Sequence, residues 1–145
     1  MAYQAKRKKL YQEEFQLVDE NGMIAKRMHV ELDPDVIAPE LSKKYLAFVR
    51  ASEEAKKIDV GKSPAEALEL IGNTTTDILQ AVFGDENAQY IVEFYRGRYT
   101  EMAREVLPFV FQIVIPQVRK MVQENRAAIV SGYNRKQRRL LFRKK

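Results

Sequence analysis

The sequence predicts an α+β fold that is mostly α, with an N-terminal β-hairpin followed by four or five helices and basic, disordered tails. Three observations carry this reading. Asn21-Gly22 lies between two stretches in which apolar and polar residues alternate, and Asn-Gly is the strongest short-range hairpin signal because both residues tolerate positive φ. From about Pro39 onward, apolar residues recur at spacings of three and four, the period of a helix with one buried face. The charge is segregated: the net +5 of the 145 residues resolves into +4 over the first ten, +7 over the last twelve and −6 over the body between them. Blocks of like charge are usually solvated tails. The expected organisation is a basic arm over 1–10, one globular domain over 11–132 and a basic tail over 133–145.

Length and composition bound the rest. A chain of 145 residues suits a single core. Cysteine is absent, which excludes disulfides and thiolate chemistry and fits a reducing cytoplasm. Met1 to Leu10 is basic with no apolar run behind it, so a signal peptide is not expected. The longest apolar stretch, Val106 to Ile115, is about half the roughly 20 residues a membrane span needs. A soluble protein with no membrane partner is expected.

The first strand is read from Phe15, Leu17 and Asp19 alternating with Gln16 and Val18, and the second from Met23 to Leu32. Asp33-Pro34-Asp35 then predicts an irregular turn, with a helix over 39–57 carrying Leu41, Tyr45, Phe48, Val49 and Ser52 on one side. Ser63-Pro64-Ala65-Glu66 is a helix start: Ser caps, Pro occupies the first turn and Glu66 completes the box. The apolar stripe that follows ends at Phe83; Gly72-Asn73-Thr74-Thr75-Thr76 weakens its middle, and the segment is still expected to be helical, bent or split there. Gly84 reads as a C-cap, Asp85-Glu86 as the acidic opening of a helix over 86–96, and Gly97 as its end. Thr100 is expected to cap the last helix, over 101–130, which contains Pro108 and Pro116 and so should kink. A buried strand over Phe109 to Ile115, four of whose residues are β-branched, is the alternative. Ser131-Gly132 is expected to stop the helix.

No group of residues forms a recognisable catalytic set. His29 is the only histidine and has neither cysteine nor a nucleophile at ligand or triad spacing, so it reads as a strand histidine. Asp33 with Asp35 and Asp85 with Glu86 stand where helix caps belong. Neither GxGxxG nor GxxxxGK[ST] is present. The tail residues Arg135, Lys136, Arg138 and Arg139 could grip nucleic acid electrostatically, but the tail lacks the interleaved aromatics of a stacking surface. The aromatics Tyr90, Phe94, Tyr95, Tyr99, Phe109 and Phe111 are a large set for a small domain, and some of them are expected on a protein-binding face. At 100° per residue Phe111 lies about 200° from Phe109. Phe94 and Phe109 are therefore expected inward, and Tyr99, Phe111, Ile115 and Val118 on a partner face.

The run Phe83-Gly84-Asp85-Glu86-Asn87-Ala88, then Ile91-Val92-Glu93-Phe94-Tyr95 and Gly97-x-Tyr99, resembles small proteins of long-tailed phages that infect Gram-positive bacteria. Val106-Leu107-Pro108-Phe109 with Ile115-Pro116, and the ending Asn134-Arg135-Lys136-Gln137-Arg138-Arg139, are similar too. The family is that of the tail assembly chaperones, encoded between the major tail protein and the tape measure protein. The likeness covers residues 83–122 best and the hairpin hardly at all, and it is a packing signature, not a chemical one. It implies a non-enzymatic protein without cofactor or metal, acting in the host cell cytoplasm. Such a protein would coat the tape measure protein, keep it soluble and recruit tail-tube protein. Self-association into a homo-oligomer is compatible with it. The alternatives are a small nucleic-acid-binding regulator that uses the basic ends, and a structural subunit of the tail or the head–tail connector.

Overall fold

The computed structural model describes residues 2–57 and 64–143, with side chains for 2–57 and 65–131. Strands β1 (Tyr11–Val18) and β2 (Ile24–Leu32) pair antiparallel in a two-stranded sheet. Five helices follow: α1 (Pro34–Lys57), α2 (Pro64–Phe83), α3 (Asp85–Phe94), α4 (Tyr99–Pro108) and α5 (Ile115–Arg143). A π-helical segment, Phe109–Val114, joins α4 to α5. The predicted class, α+β and mostly α with one N-terminal hairpin, is the observed one.

The hairpin turns where Asn21-Gly22 said it would. Asp19, expected in the strand, belongs to the turn. Its carboxylate accepts the amides of Asn21 at 2.9 Å and Met23 at 3.0 Å, and Gly22 takes φ 80. Pairing runs from Tyr11↔Leu32 through Phe15↔Met28 to Leu17↔Lys26, then slips so that Val18 faces Ile24. One face buries Tyr11, Leu17, Met28, Val30 and Leu32, and the other gives Gln12, Glu14, Gln16, Arg27, His29 and Glu31 to water. This is the alternation that a sheet with one covered face requires.

The helix expected over 39–57 begins earlier, at Pro34. Asp33 caps it, its carboxylate taking the Asp35 amide at 3.2 Å and its carbonyl the Ile37 amide at 2.9 Å. Pro34 stands at the first position, where its missing N–H costs nothing, and the exposed Pro39 removes one bond without ending the helix. The Ser63 cap lies outside the described residues. The Gly72–Thr76 stretch does not split α2; within it the Thr74 and Thr76 hydroxyls donate to the Leu70 carbonyl at 3.1 Å and the Gly72 carbonyl at 2.8 Å.

Gly84, at φ 83, closes α2 and opens α3: its amide donates to Gln80 and its carbonyl accepts from Ala88. α3 stops at Phe94, two residues short of the expected end, because Arg96 (φ 55) and Gly97 (φ 74) turn left-handed and return their amides to Glu93 and Val92. Thr100 is not the cap of the next helix. α4 starts at Tyr99, Arg98 holds the cap position with no side-chain cap bond, and the Arg98–Glu101 ion pair at 3.0 Å spans that first turn.

The rod from α4 to α5 is helical throughout, so the strand alternative over Phe109–Ile115 is wrong. The prolines widen it locally. Pro116 has no N–H, and in a regular α turn its ring would strike the carbonyl of Gln112; immediately before it the ladder changes, and the Ile115 amide reaches back five residues to Val110. Met102, Val106, Val110, Val114 and Val118, each at most 1% exposed, form a stripe at spacing four through both prolines. In a pure α-helix each four-residue step drifts about 40°. A wider turn advances less per residue and keeps the stripe on the core. Leu17 and Val30 of the hairpin, Ile78 and Leu79 of α2 and Ile91 of α3 complete the buried centre.

Ser131-Gly132 does not stop α5. The backbone stays helical to Arg143, so the segment expected to be a disordered tail from 133 continues the helix. Residues 2–10 have no regular structure and are exposed, as expected of the arm.

Candidate partner-binding groove

Along one side of the rod the helices leave apolar surface uncovered. Phe48 of α1, Ala103, Leu107 and Pro108 of α4, and Phe111 and Gln112 of the π segment bound an open groove of about 280 Å³. Its central ring is Phe111, which meets Tyr45 edge-on at 5.0 Å and Phe48 at 5.6 Å. Ala103, Leu107 and Phe111 follow one another at spacing four, so one side of the rod supplies this wall. Arg104 links the groove to a second hollow of about 470 Å³, lined by Leu68 of α2 and by Gly97 to Glu101. The Tyr99 ring lies on the α2 backbone there: a Cβ at Gly72 would come within 2.9 Å of it. Glycine is what lets ring and helix meet.

The electrostatics of this side are balanced. Arg98 pairs with Glu101 at 3.0 Å at the edge of the second hollow, and Arg104, between the two hollows, pairs with Glu105 at 3.7 Å. Such exposed pairs contribute little energy and leave the surface close to neutral. Tyr45 and Leu68 at the borders keep 38% and 47% of their surface in water. On the far side of α4, burial, Glu105 and Glu101 together raise the Tyr95 phenol above its ordinary value. At the hairpin, burial and then Glu13 push Tyr11 up to about 12, and its hydroxyl donates to Glu13 at 3.4 Å.

The four residues expected on a partner face divide. Tyr99 and Phe111 are half-buried and line the two hollows. Val118 is 1% exposed and belongs to the core, which overturns its assignment. Ile115 and Val118 face Ala38 and Leu41 of α1 across a crevice of about 10 Å³. The face carrying Phe111, Ile115 and Val118 does meet another helix, and that helix is α1 of the same chain. Phe109 points the other way, as expected, into Phe15 at 4.9 Å and Phe83 at 5.8 Å. Phe94, expected inward, is only half-buried, edge-on to Tyr95 at 5.1 Å, while Ile91 takes the buried place on α3. Arg135, Lys136, Arg138 and Arg139 lie on the helical backbone of α5, and their side chains are outside the described ones.

Phe48, Ala103, Leu107 and Pro108 were missed as groove residues. The spacing of Ala103, Leu107 and Phe111 held that information; the position of Phe48 did not follow from any local pattern. His29 is exposed, 3.7 Å from Glu31. Among the described residues no three His, Asp or Glu side chains are placed to hold a metal ion, and no helix is long and apolar enough to cross a membrane. Compared with protein-family models, with curated proteins and with solved structures, the chain matches none.

Proposed function

We propose that this chain is a tail assembly chaperone of a long-tailed phage or prophage, a non-enzymatic protein of the host cytoplasm that binds the tape measure protein, keeps it soluble and helps recruit tail-tube subunits. The observation that carries the proposal is the neutral-edged apolar groove around Phe111, taken with the resemblance of residues 83–122. A tape measure protein is a long amphipathic helix, and its apolar stripe would aggregate if left in water. Helix-in-groove capture covers such a stripe with anchors at i, i+3, i+4 and i+7. Phe111, Phe48 and Leu107 supply the apolar floor, and aromatic anchors commonly dominate interface energy. Polar pairs at the edges let the groove release its guest, as a factor that leaves before the tail is finished must.

Co-expression tests it. With the neighbouring tape measure protein, the wild-type chain should bring that protein into the soluble fraction, and Phe111→Ala should not. A tape measure protein equally soluble with or without the chain would refute the proposal. The second reading, a nucleic-acid-binding regulator, draws on the charge of α5, where eight Lys or Arg residues stand against the single Glu124. It requires oligonucleotide binding that falls steeply with salt. The third, a structural tail or connector subunit, requires the chain in purified mature particles.

A further inference from the structure

Among the described side chains, only the first part of α5 is packed into the chain. It packs chiefly on α1, Val118 is the last fully buried one described, and beyond it Lys8 Nζ donates to Asn125 at 3.5 Å. From Gln123 to Ser131 every residue except the half-buried Asn125 is exposed, and Ile129 and Val130 keep 71% and 58% of their surface in water. The helix nevertheless continues to Arg143, through Ser131-Gly132. A lone helical length with glycine inside it and bare isoleucine and valine on it is marginal in water unless something covers it.

The same chain carries the complementary surface. α2 and α3 contain six acids and no Lys or Arg, whereas α5 has a net charge of +7. Glu66, Glu69 and Asp77 fall within an arc of about 80° on α2, and Asp85, Glu86 and Glu93 within about 100° on α3. All six are exposed, and the apolar Tyr90, exposed on α3, lies about 40° round the helix from Glu86.

We propose that the free length of α5 docks on the acidic α2–α3 face of a second copy of this chain. Charge complementarity sets the orientation, and Tyr90 gives Ile129 and Val130 an apolar counterpart. A polyphosphate would neutralise the cations but leave those two side chains bare. The two surfaces differ, so the contact is heterologous: an open assembly still offers one free helix and one free acidic face, and growth ends only in a ring or continues as a filament. The interface is separate from the Phe111 groove, so loss of one need not remove the other.

Sedimentation velocity on the full chain tests this. At low ionic strength the wild type should form species larger than a monomer, and these should dissociate near 1 M salt, where the Debye length is about 3 Å. Reversing the helix charges (Arg135→Glu with Arg138→Glu and Arg139→Glu) should weaken association about tenfold or more, as should reversing the face (Glu66→Lys with Glu69→Lys and Asp77→Lys). Mixing the two variants restores opposite charges at the contact, so the association lost in each variant alone should reappear. Ile129→Asp should also weaken association, with unchanged helicity by circular dichroism. A wild type monomeric at low salt, a face variant that associates like the wild type, or mixed variants that stay monomeric would each overturn the proposal. So would tight binding of a random-sequence oligonucleotide by a wild type that remains monomeric without it.

Discussion

Phe109 and Phe111 stand two residues apart on the same π segment and have opposite surroundings. Phe109 closes a triad with Phe15 of the hairpin and Phe83 of α2, centroid distances 4.9 to 5.8 Å, so three elements distant in sequence meet at one point. Phe111 forms a second cluster with Tyr45 and Phe48, both from the same helix, and this one stays open at the groove. Both rings are half-buried; the one held between the sheet and α2 ties the fold together, and the one backed by a single helix keeps a face for something else.

The sharpest way to break this comparison is to truncate each ring. Phe109→Ala should destabilise the chain by about 3 kcal/mol in chemical denaturation, because the cavity left between hairpin and α2 cannot collapse easily. Phe111→Ala should cost at most about 2 kcal/mol, since both of its ring partners lie on α1 and no sheet packs on it. Equal costs would mean that the Phe111 side is ordinary core.

Gly72 offers a test on the open side that reverses sign. Alanine normally gains about 0.5–1 kcal/mol over glycine inside a helix. Here the added Cβ meets the Tyr99 ring at 2.9 to 3.1 Å, so Gly72→Ala should instead destabilise by about 1–2 kcal/mol. In a Tyr99→Ala background the same substitution should stabilise. A stabilising Gly72→Ala in the wild type would show that the Tyr99 ring moves aside freely.

Thr75 sits on α2, which packs against β2 and α4 as well as α1. Its hydroxyl is wholly buried with no hydrogen-bond partner. Thr75→Val should raise stability by about 1 kcal/mol by removing an unpaired polar group without changing shape. A loss on denaturation would point to an unrecognised partner for that oxygen.

The smallest effect is at Tyr11, on the sealed side. Its folded pKa, about 12, lies above the ordinary 10.0 of the unfolded chain. The folded state therefore holds the phenolic proton more tightly, and this contribution is fully present below pH 10 and lost as pH rises from about 10 to about 12. Tyr95 is shifted in the same direction and adds to the slope. Tyr11→Phe should flatten the fall in unfolding free energy over that range; an unchanged slope would mean that Tyr11 is not held neutral by its surroundings.

What was legible in the sequence was local. Asn21-Gly22 placed the hairpin and Gly84 the break between α2 and α3, because each position needs a conformation that few residues adopt. The two apolar sides of the last rod were visible in the spacing of Phe109, Phe111, Ile115 and Val118. What covers the second side was not, because α1 lies more than fifty residues earlier and no local period encodes that contact. Ser131-Gly132 misled for a related reason: glycine weakens a helix but does not end one without a left-handed cap, and none forms there. Thr100 misled as a cap because the left-handed pair Arg96-Gly97 had already set the helix start one residue before it.

The π segment has a consequence for insertions and deletions. Between Phe109 and Val114 the helix carries more chain per turn than it does on either side. Removing one residue there would let the wide turn close to an ordinary α turn, and the helix beyond it would keep nearly the same phase. The same deletion within α4 would turn everything after it by about 100° and take Val118 out of the core. The π segment thus lets the rod change length without rotating the arm.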